Sequence, residues 1–169
     1  MRPRDVGRAR LYEAERLVHR MFDNAGSSRT VEIAGTQLTL PAEARFATVE
    51  SVRDHVDRVL SMPSVRQRFA RAGRPVIVRE RRGHRSAEYL RTGSEIPQIA
   101  IPSSADGRWA LRELVVLHEL AHHLDESRDA AHGRGFVVAL TDLVTIVLGP
   151  EAGFVYRVIL GDSGVGGIG

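Results

Sequence analysis

Two histidines and a glutamate interrupt one of the most apolar segments of this sequence, and they restrict what the chain can fold into. The segment reads Leu117-His118-Glu119-Leu120-Ala121-His122-His123, with further apolar residues on both sides. A helix this apolar is expected to be buried. Burying ionisable side chains costs free energy unless they are bonded to partners. The fold must therefore bring partner groups to these side chains.

Three of these residues have the spacing H-E-x-x-H, formed by His118, Glu119 and His122. Residues four apart on a helix lie one above the other, so both imidazoles can face one zinc ion. Glu119 is turned by about 100° from His118 and can take a proton from a metal-bound water without binding the metal itself. The spacing therefore predicts a zinc site with two histidine ligands and Glu119 as the general base.

A third ligand is expected, because a catalytic zinc usually has three protein ligands and one open position. His132 is the favoured candidate, since it follows the polar loop Asp125–Ala131 and begins the next predicted helix. Asp142 is the alternative, because a carboxylate among Val, Ala and Leu residues also needs a partner. His132 and Asp142 would lie about 15 Å apart along one helix, so both cannot bind the same ion.

The composition excludes several other kinds of site. The 169 residues contain no cysteine, which excludes disulfide scaffolds, thiolate zinc sites, iron–sulfur clusters and cysteine nucleophiles. All 24 basic residues are arginine, so Schiff-base chemistry and the phosphate loop, which need a lysine amine, are excluded as well. Any metal must therefore be held by His, Asp or Glu.

Hydrophobic periodicity predicts helices and a small sheet first, then helices alone. The predicted helices are Asp5–Asp23, one capped by Thr48, a short one from Pro63, Arg108–Asp125, His132–Leu148 and Glu151–Leu160. The predicted strands are a strand or hairpin within Val31–Leu40, then Val76–Val78, Ala87–Arg91 and Ile96–Ile101, with a turn at Arg81–Arg85. This order indicates an α+β fold, with one domain over residues 1–160 and a flexible Gly-rich tail over 161–169.

The sequence His118-Glu119-Leu120-Ala121-His122, followed by His132-Gly133-x-x-Phe136, resembles the SprT-like branch of the zincin metallopeptidases. It resembles still more closely a family of short actinobacterial H-E-x-x-H metallohydrolases. The resemblance implies a small twisted sheet packed on the active-site helix, with a second helix supplying the third ligand. It also implies that His118, His122 and His132 hold zinc and that Glu119 is the general base. The cysteine-rich zinc ribbon that often follows an SprT-like domain is missing, so its targeting role is not implied.

Several other residues have two interpretations each. His123 is an oxyanion donor or a neutral, hydrogen-bonded helix histidine. Tyr156 stabilises a tetrahedral intermediate or packs in the core. Asp125 orients a ligand imidazole or caps the loop that follows it. The remaining histidines, His19, His55 and His84, have no partner pattern and are expected at the surface.

Charge and hydropathy bear on location and partners. The chain shows neither a signal peptide nor an apolar run of the roughly 20 residues that a membrane span needs, so we expect a cytoplasmic protein that does not enter a membrane. Ser61–Arg91 carries nine arginines against two glutamates. A solvated arginine-rich face is the favoured interpretation, and a nucleic-acid surface is the alternative. No oligomeric state is predicted.

The sequence therefore predicts a zinc-dependent metallohydrolase, in particular a peptidase with a peptide or protein substrate. The substrate is expected between the metal and Ile96–Ile101, a predicted edge strand because Pro97 and Pro102 bracket it. The alternative is a non-catalytic zincin-fold binding or regulatory module, including one that associates with nucleic acid.

Overall fold

A computed structural model describes residues 3–83, 86–102 and 111–164, and this part of the chain is a mixed α+β structure. The helices are α1 (Arg8–Asn24), α2 (Val49–Ser61), α3 (Pro63–Arg68), a 3₁₀ helix (Ala70–Gly73), α4 (Glu113–Leu124), α5 (Arg134–Leu148) and α6 (Pro150–Asp162). The strands are β1 (Thr30–Ile33), β2 (Thr36–Thr39), β3 (Ile77–Arg81), β4 (Glu88–Leu90) and β5 (Gln98–Pro102). The predicted α+β class is confirmed at this level.

The chain divides into two compact units. One unit is Ala44–Asp125, which contains α2, α3, the 3₁₀ helix, β3, β4, β5 and α4. The other consists of Met1–Glu43 together with Glu126–Gly169 and contains α1, β1, β2, α5 and α6.

The sheet of the Ala44–Asp125 unit has the strand order β3-β5-β4. β3 runs parallel to β5, and β4 runs antiparallel to it. The prediction that Ile96–Ile101 is an edge strand is therefore wrong, because β5 lies in the middle. Pro97 stands just before β5 and Pro102 is its last residue, so neither proline interrupts the ladder. Ile99, Ala100 and Ile101 are buried, as a central strand requires.

The N-terminus of α2 is fixed by the cap that the sequence predicts. Ser51 N donates to Thr48 Oγ1 (3.1 Å), and Thr48 N donates to Ser51 Oγ (3.2 Å). These reciprocal bonds satisfy two backbone donors that a helix start leaves open. The buried face of α2 includes Val52 and Val56, and α2 packs on β3 and α4.

The expectation that His55 lies at the surface is wrong. It is only 8% exposed, and its Nε2 lies 2.9 Å from Glu113 Oε1 at the start of α4. The other Glu113 oxygen accepts a hydrogen bond from Ala44 N (2.7 Å). Because Glu113 is far from His55 in sequence, the spacing around His55 gave no sign of this partner. The network holds the first turn of the helix that carries H-E-x-x-H.

The second unit joins three helices and a hairpin. β1 and β2 pair around Ala34 (φ 48°) and Gly35 (φ 74°), which confirms the predicted hairpin turn. α6 packs against both α5 and α1. At Gly153, α6 approaches α5 so closely that a Cβ would lie 2.9 Å from Thr145 Cβ and would collide with Thr145 Oγ1.

The element boundaries differ from the predicted ones at several ends. β3 continues through Arg81, the first residue of the predicted turn Arg81–Arg85. His84 and Arg85 lie outside the described residues. The predicted start of the fourth helix, Arg108, and residues 165–169 of the predicted tail also lie outside them. The first two residues of that tail, Gly161 and Asp162, belong to α6 instead. Within the described ranges, no helix is both long and apolar enough to cross a membrane.

Candidate metal centre

His118 and His122 lie on consecutive turns of α4, as the H-E-x-x-H spacing predicts. Their ring centroids are 5.0 Å apart with an interplanar angle of 74°. His118 is buried, whereas His122 is partly exposed. The ring of Tyr89, in β4, stacks on His122 at 6.1 Å and 13°. The second ligand candidate is therefore positioned by both its helix and the neighbouring strand.

His132 lies in the turn just before α5, two residues earlier than the first helical residue. Gly133 N donates to Ala130 O (2.9 Å), and Gly135 N donates to Asp129 Oδ2 (2.9 Å). A Cβ at Gly133 would lie 2.9 Å from Asp129 Cβ and 3.1 Å from Ala130 O. Only glycine fits this turn without a shift, so the residue after His132 helps to fix where His132 lies.

Asp5 is a residue of the site that the sequence did not indicate. Its Oδ2 lies 2.6 Å from His132 Nδ1. Because a carboxylate accepts, Nδ1 carries the proton and donates, and Nε2 is left with a lone pair. Tyr12 and Phe136 contact the imidazole edge-on, with centroid distances of 5.4 and 5.1 Å. This arrangement fixes both the tautomer and the orientation of His132, as is usual for a metal-binding histidine.

The three histidines form one group, in which His118 and His132 are buried and His122 is partly exposed. One ligand atom from each of His118, His122 and His132 lies within 4.8 Å of the other two, close enough to hold a single metal ion. Asp142, in α5, is described but does not belong to this group. Three imidazole nitrogens suit zinc and several other transition metals. The donor set therefore fits a metal ion, with His132 rather than Asp142 beside the helical pair.

Glu119 follows His118 on α4 and is 5% exposed. It does not belong to the three-histidine group. Its position on the helix is the one that the sequence assigns to a general base, and this role stays a prediction.

His123 fits the interpretation as a neutral, hydrogen-bonded histidine. Its Nε2 lies 3.1 Å from the Arg74 carbonyl oxygen, which can only accept, so Nε2 carries the proton. Tyr89 Oη lies 3.4 Å from Nδ1 and can donate to it. Burial lowers the pKa of His123, and the positive charges of Arg71, Arg74 and Arg91 lower it further. The N–H of the neutral ring is thus already used by a backbone carbonyl.

Tyr156 and Asp125 are both buried, and the choice between the two interpretations of each stays a prediction. Tyr156 is fully buried in α6, as core packing expects. Asp125 is the C-cap of α4: its N–H donates to Ala121 O (2.9 Å), and its carbonyl accepts from Arg71 Nη1 (2.6 Å).

The comparisons with known proteins returned no match: no protein-family model, no curated protein and no solved structure is similar to this chain at a significant level. The function must therefore be inferred from the side chains themselves.

Proposed function

We propose that this protein is a zinc-dependent metallohydrolase of the zincin type that hydrolyses peptide bonds. The observation that carries the proposal is the group of three imidazoles, with their ligand atoms within 4.8 Å of one another, formed by the two histidines of H-E-x-x-H and His132. Two histidines four residues apart on one helix are a moderate signal alone. A third imidazole beside them, oriented by Asp5, gives the complete ligand set of a catalytic zinc site.

His118, His122 and His132 would hold the zinc ion. A bound zinc ion supplies Lewis acidity and lowers the pKa of water to about 7. The protein's part is to keep the three imidazoles neutral and in place. α4 spaces two of them, and the Asp5 carboxylate and the turn at Gly133 hold the third.

Glu119 would accept the proton from the attacking water and later deliver it to the leaving amine. A general base must be held close to the proton that it takes, and α4 fixes Glu119 beside His118. Its burial supports this role, because a site with little bulk water strengthens electrostatic interactions.

Among the described strands, β4 forms one edge of its sheet, and an extended peptide would bind there. β4 pairs with β5 on one side, and α4 packs against it. Its central residue, Tyr89, stacks on His122. A peptide added to the other edge of β4 would gain main-chain hydrogen bonds beside the metal ligands. β4 therefore takes the role that the sequence assigned to Ile96–Ile101.

Two features favour this hydrolase over a non-catalytic zincin-fold module. A purely structural zinc site is closed by four protein ligands, whereas the group found among the described residues has three. A structural site also has no need for a buried glutamate next to a ligand. The three-ligand group with Glu119 is the arrangement of a catalytic site.

The Glu119→Gln variant tests the proposal, because glutamine keeps the shape of the side chain but cannot take a proton. We expect it to retain zinc and its thermal unfolding temperature, while hydrolysis of denatured protein or a peptide library falls by about 10²–10⁴-fold. Glu126→Gln, at an exposed position shortly after α4, is the matched control and should cleave like the wild type.

Two results would contradict the proposal. If Glu119→Gln loses the metal, Glu119 supports the site structurally and the assigned role is wrong. If it binds zinc and cleaves as fast as the wild type, the hydrolysis belongs to another group or to a contaminant, and the binding-module alternative is favoured.

A further inference from the structure

A cavity of about 270 Å³ opens beside β4 in the Ala44–Asp125 unit. Its walls combine the apolar residues Tyr89, Ile96 and Pro97 with the arginines Arg71, Arg74 and Arg91. Sites for small molecules usually measure about 300–1,000 Å³. The cavity is thus slightly smaller than this range and suits part of a ligand, such as one amino-acid side chain.

The cavity is positively charged. It is lined by three arginines and by one acidic residue, Glu95. Arg71 is held in place, since its Nη1 donates to the Asp125 carbonyl oxygen at 2.6 Å. The side chains of Arg74 and Arg91 have no ion-pair partner within the described ranges. Two guanidinium groups are therefore available to a ligand.

Other arginines of Ser61–Arg91 are already bonded within the protein. Arg79 Nε donates to Gln98 Oε1 at 2.6 Å, and Arg81 Nη1 lies 3.0 Å from Glu88 Oε2. Arg68 lies over the ring of Phe69 at 4.8 Å. Arg74 and Arg91 thus differ from these neighbours, because their side chains line a concave space and have no ion-pair partner among the described residues.

Two residues of the cavity wall connect it to His122, one of the three histidines of the metal centre. Tyr89 lines the cavity, and its ring stacks on His122 at 6.1 Å. His123 also lines it and is adjacent to His122 in α4. A peptide bound along β4 with its scissile bond near His122 would place a neighbouring group in the cavity.

We infer that this cavity is the subsite that receives a carboxylate of the peptide substrate; the inference rests on the proposed function and names its substrate class. Arg74 and Arg91 would form charge-assisted hydrogen bonds with the carboxylate oxygens, for which the planar guanidinium is well suited. Tyr89, Ile96 and Pro97 would contact the aliphatic part of the ligand. The carboxylate comes from an acidic side chain or from the C-terminus of the peptide, two sources with the same chemistry.

The test is a direct binding measurement, so it does not depend on turnover. Fluorescein-labelled short alanine peptides are titrated with the zinc-supplemented Glu119→Gln chain and followed by fluorescence anisotropy. One amidated peptide contains a single Glu, and its partner contains Gln at the same position. A third peptide contains only alanine and is made with either a free or an amidated C-terminus.

We expect the Glu peptide or the free-carboxyl peptide to bind at least about fivefold more tightly than its neutral partner, as two partly exposed charge pairs allow. The preferred peptide of the two identifies the source of the carboxylate. The additional substitutions Arg74→Gln and Arg91→Gln together should abolish the preference. The control pair Arg10→Gln and Arg82→Gln removes the same charge at exposed positions outside the cavity and should retain it.

The inference is overturned if neither carboxylate improves binding, or if both arginine pairs reduce the preference equally, since the effect would then be one of net charge. Failure of the proposed function looks different. In that case the chain would bind no zinc or cleave no peptide, whereas the preference for a carboxylate and its loss with Arg74 and Arg91 would persist.

Discussion

Asp5 is the residue that adds most to the metal centre expected from H-E-x-x-H. Its carboxylate lies 2.6 Å from His132 Nδ1 and fixes the proton on that nitrogen. Removing it would take away the acceptor that holds the proton on Nδ1 and one of the contacts that orient the ring. The third ligand would then have to be ordered by the metal itself, which costs binding free energy.

We predict that Asp5→Ala weakens zinc affinity by about 10–100-fold, the usual effect of losing a partner of a ligand histidine. Competition against a chromogenic chelator measures the affinity. Asp5→Asn keeps an acceptor oxygen without the charge and should fall between Asp5→Ala and wild type. Glu13→Gln, at an exposed position in α1, is the control for charge alone. Unchanged affinity in Asp5→Ala would show that Asp5 does not position His132.

Local spacing decides which site residues a sequence can reveal. His118 and His122 are readable because one helix carries both, and four-residue spacing alone puts them on one face. His132 was identified from the requirement for a third ligand and from its place at the start of the next helix. Asp5 and Tyr89 were missed, since each meets its histidine only through tertiary packing, Asp5 across 127 residues of chain.

The strands are a second case in which the sequence reveals local structure but not the contacts between distant segments. The alternating pattern predicted where strands occur, but not their order, because order depends on contacts between distant segments. The prolines around β5 suggested an edge, yet both lie at the boundary of its ladder. The substrate edge is consequently assigned to β4, whose three residues gave a weak sequence signal.

The packing of α5 against α6 depends on a glycine. Gly153 is buried, and a Cβ there would meet Thr145 Cβ at 2.9 Å. Gly161, on the same helix, has no atom within 4 Å of the corresponding position. The two glycines therefore form a matched pair, one required by close approach and the other not.

We predict that Gly153→Ala lowers the free energy of unfolding by about 1–3 kcal/mol through overpacking. Gly161→Ala should leave it unchanged or raise it by up to about 1 kcal/mol, because alanine restricts the unfolded chain and favours helix. Urea denaturation of the two variants beside the wild type measures both values. If Gly153→Ala were as stable as the wild type, α5 and α6 would be able to move apart at Gly153 without a cost in free energy.

At the scale of the whole molecule, charge is distributed unevenly along the chain. The net charge is +3, yet Ser61–Arg91 alone holds nine of the arginines. Some of them bond within the protein, and three of them line the cavity beside β4. A segment that the sequence could describe only as basic thus contains arginines with different surroundings. Whether the arginines of Ser61–Arg91 form a solvated face or a nucleic-acid surface stays a prediction.

Periodicity predicted the main helices and the α+β class because burial patterns repeat within each element. It did not predict the buried pair of His55 and Glu113, which joins α2 to α4 across a long stretch of chain. It also left the choice between His132 and Asp142 to general arguments about zinc sites. Spatial proximity favours His132, as its ligand atom lies with those of His118 and His122.

The most direct test of the metal centre is the zinc content of the purified protein, measured by mass spectrometry for the wild type, His132→Ala and Asp142→Ala. We predict about one zinc per chain in the wild type, retention in Asp142→Ala and loss in His132→Ala, since two imidazoles alone hold the ion much less tightly than three. Full zinc occupancy in His132→Ala together with loss in Asp142→Ala would contradict the three-histidine site, as would a wild-type protein that binds no metal.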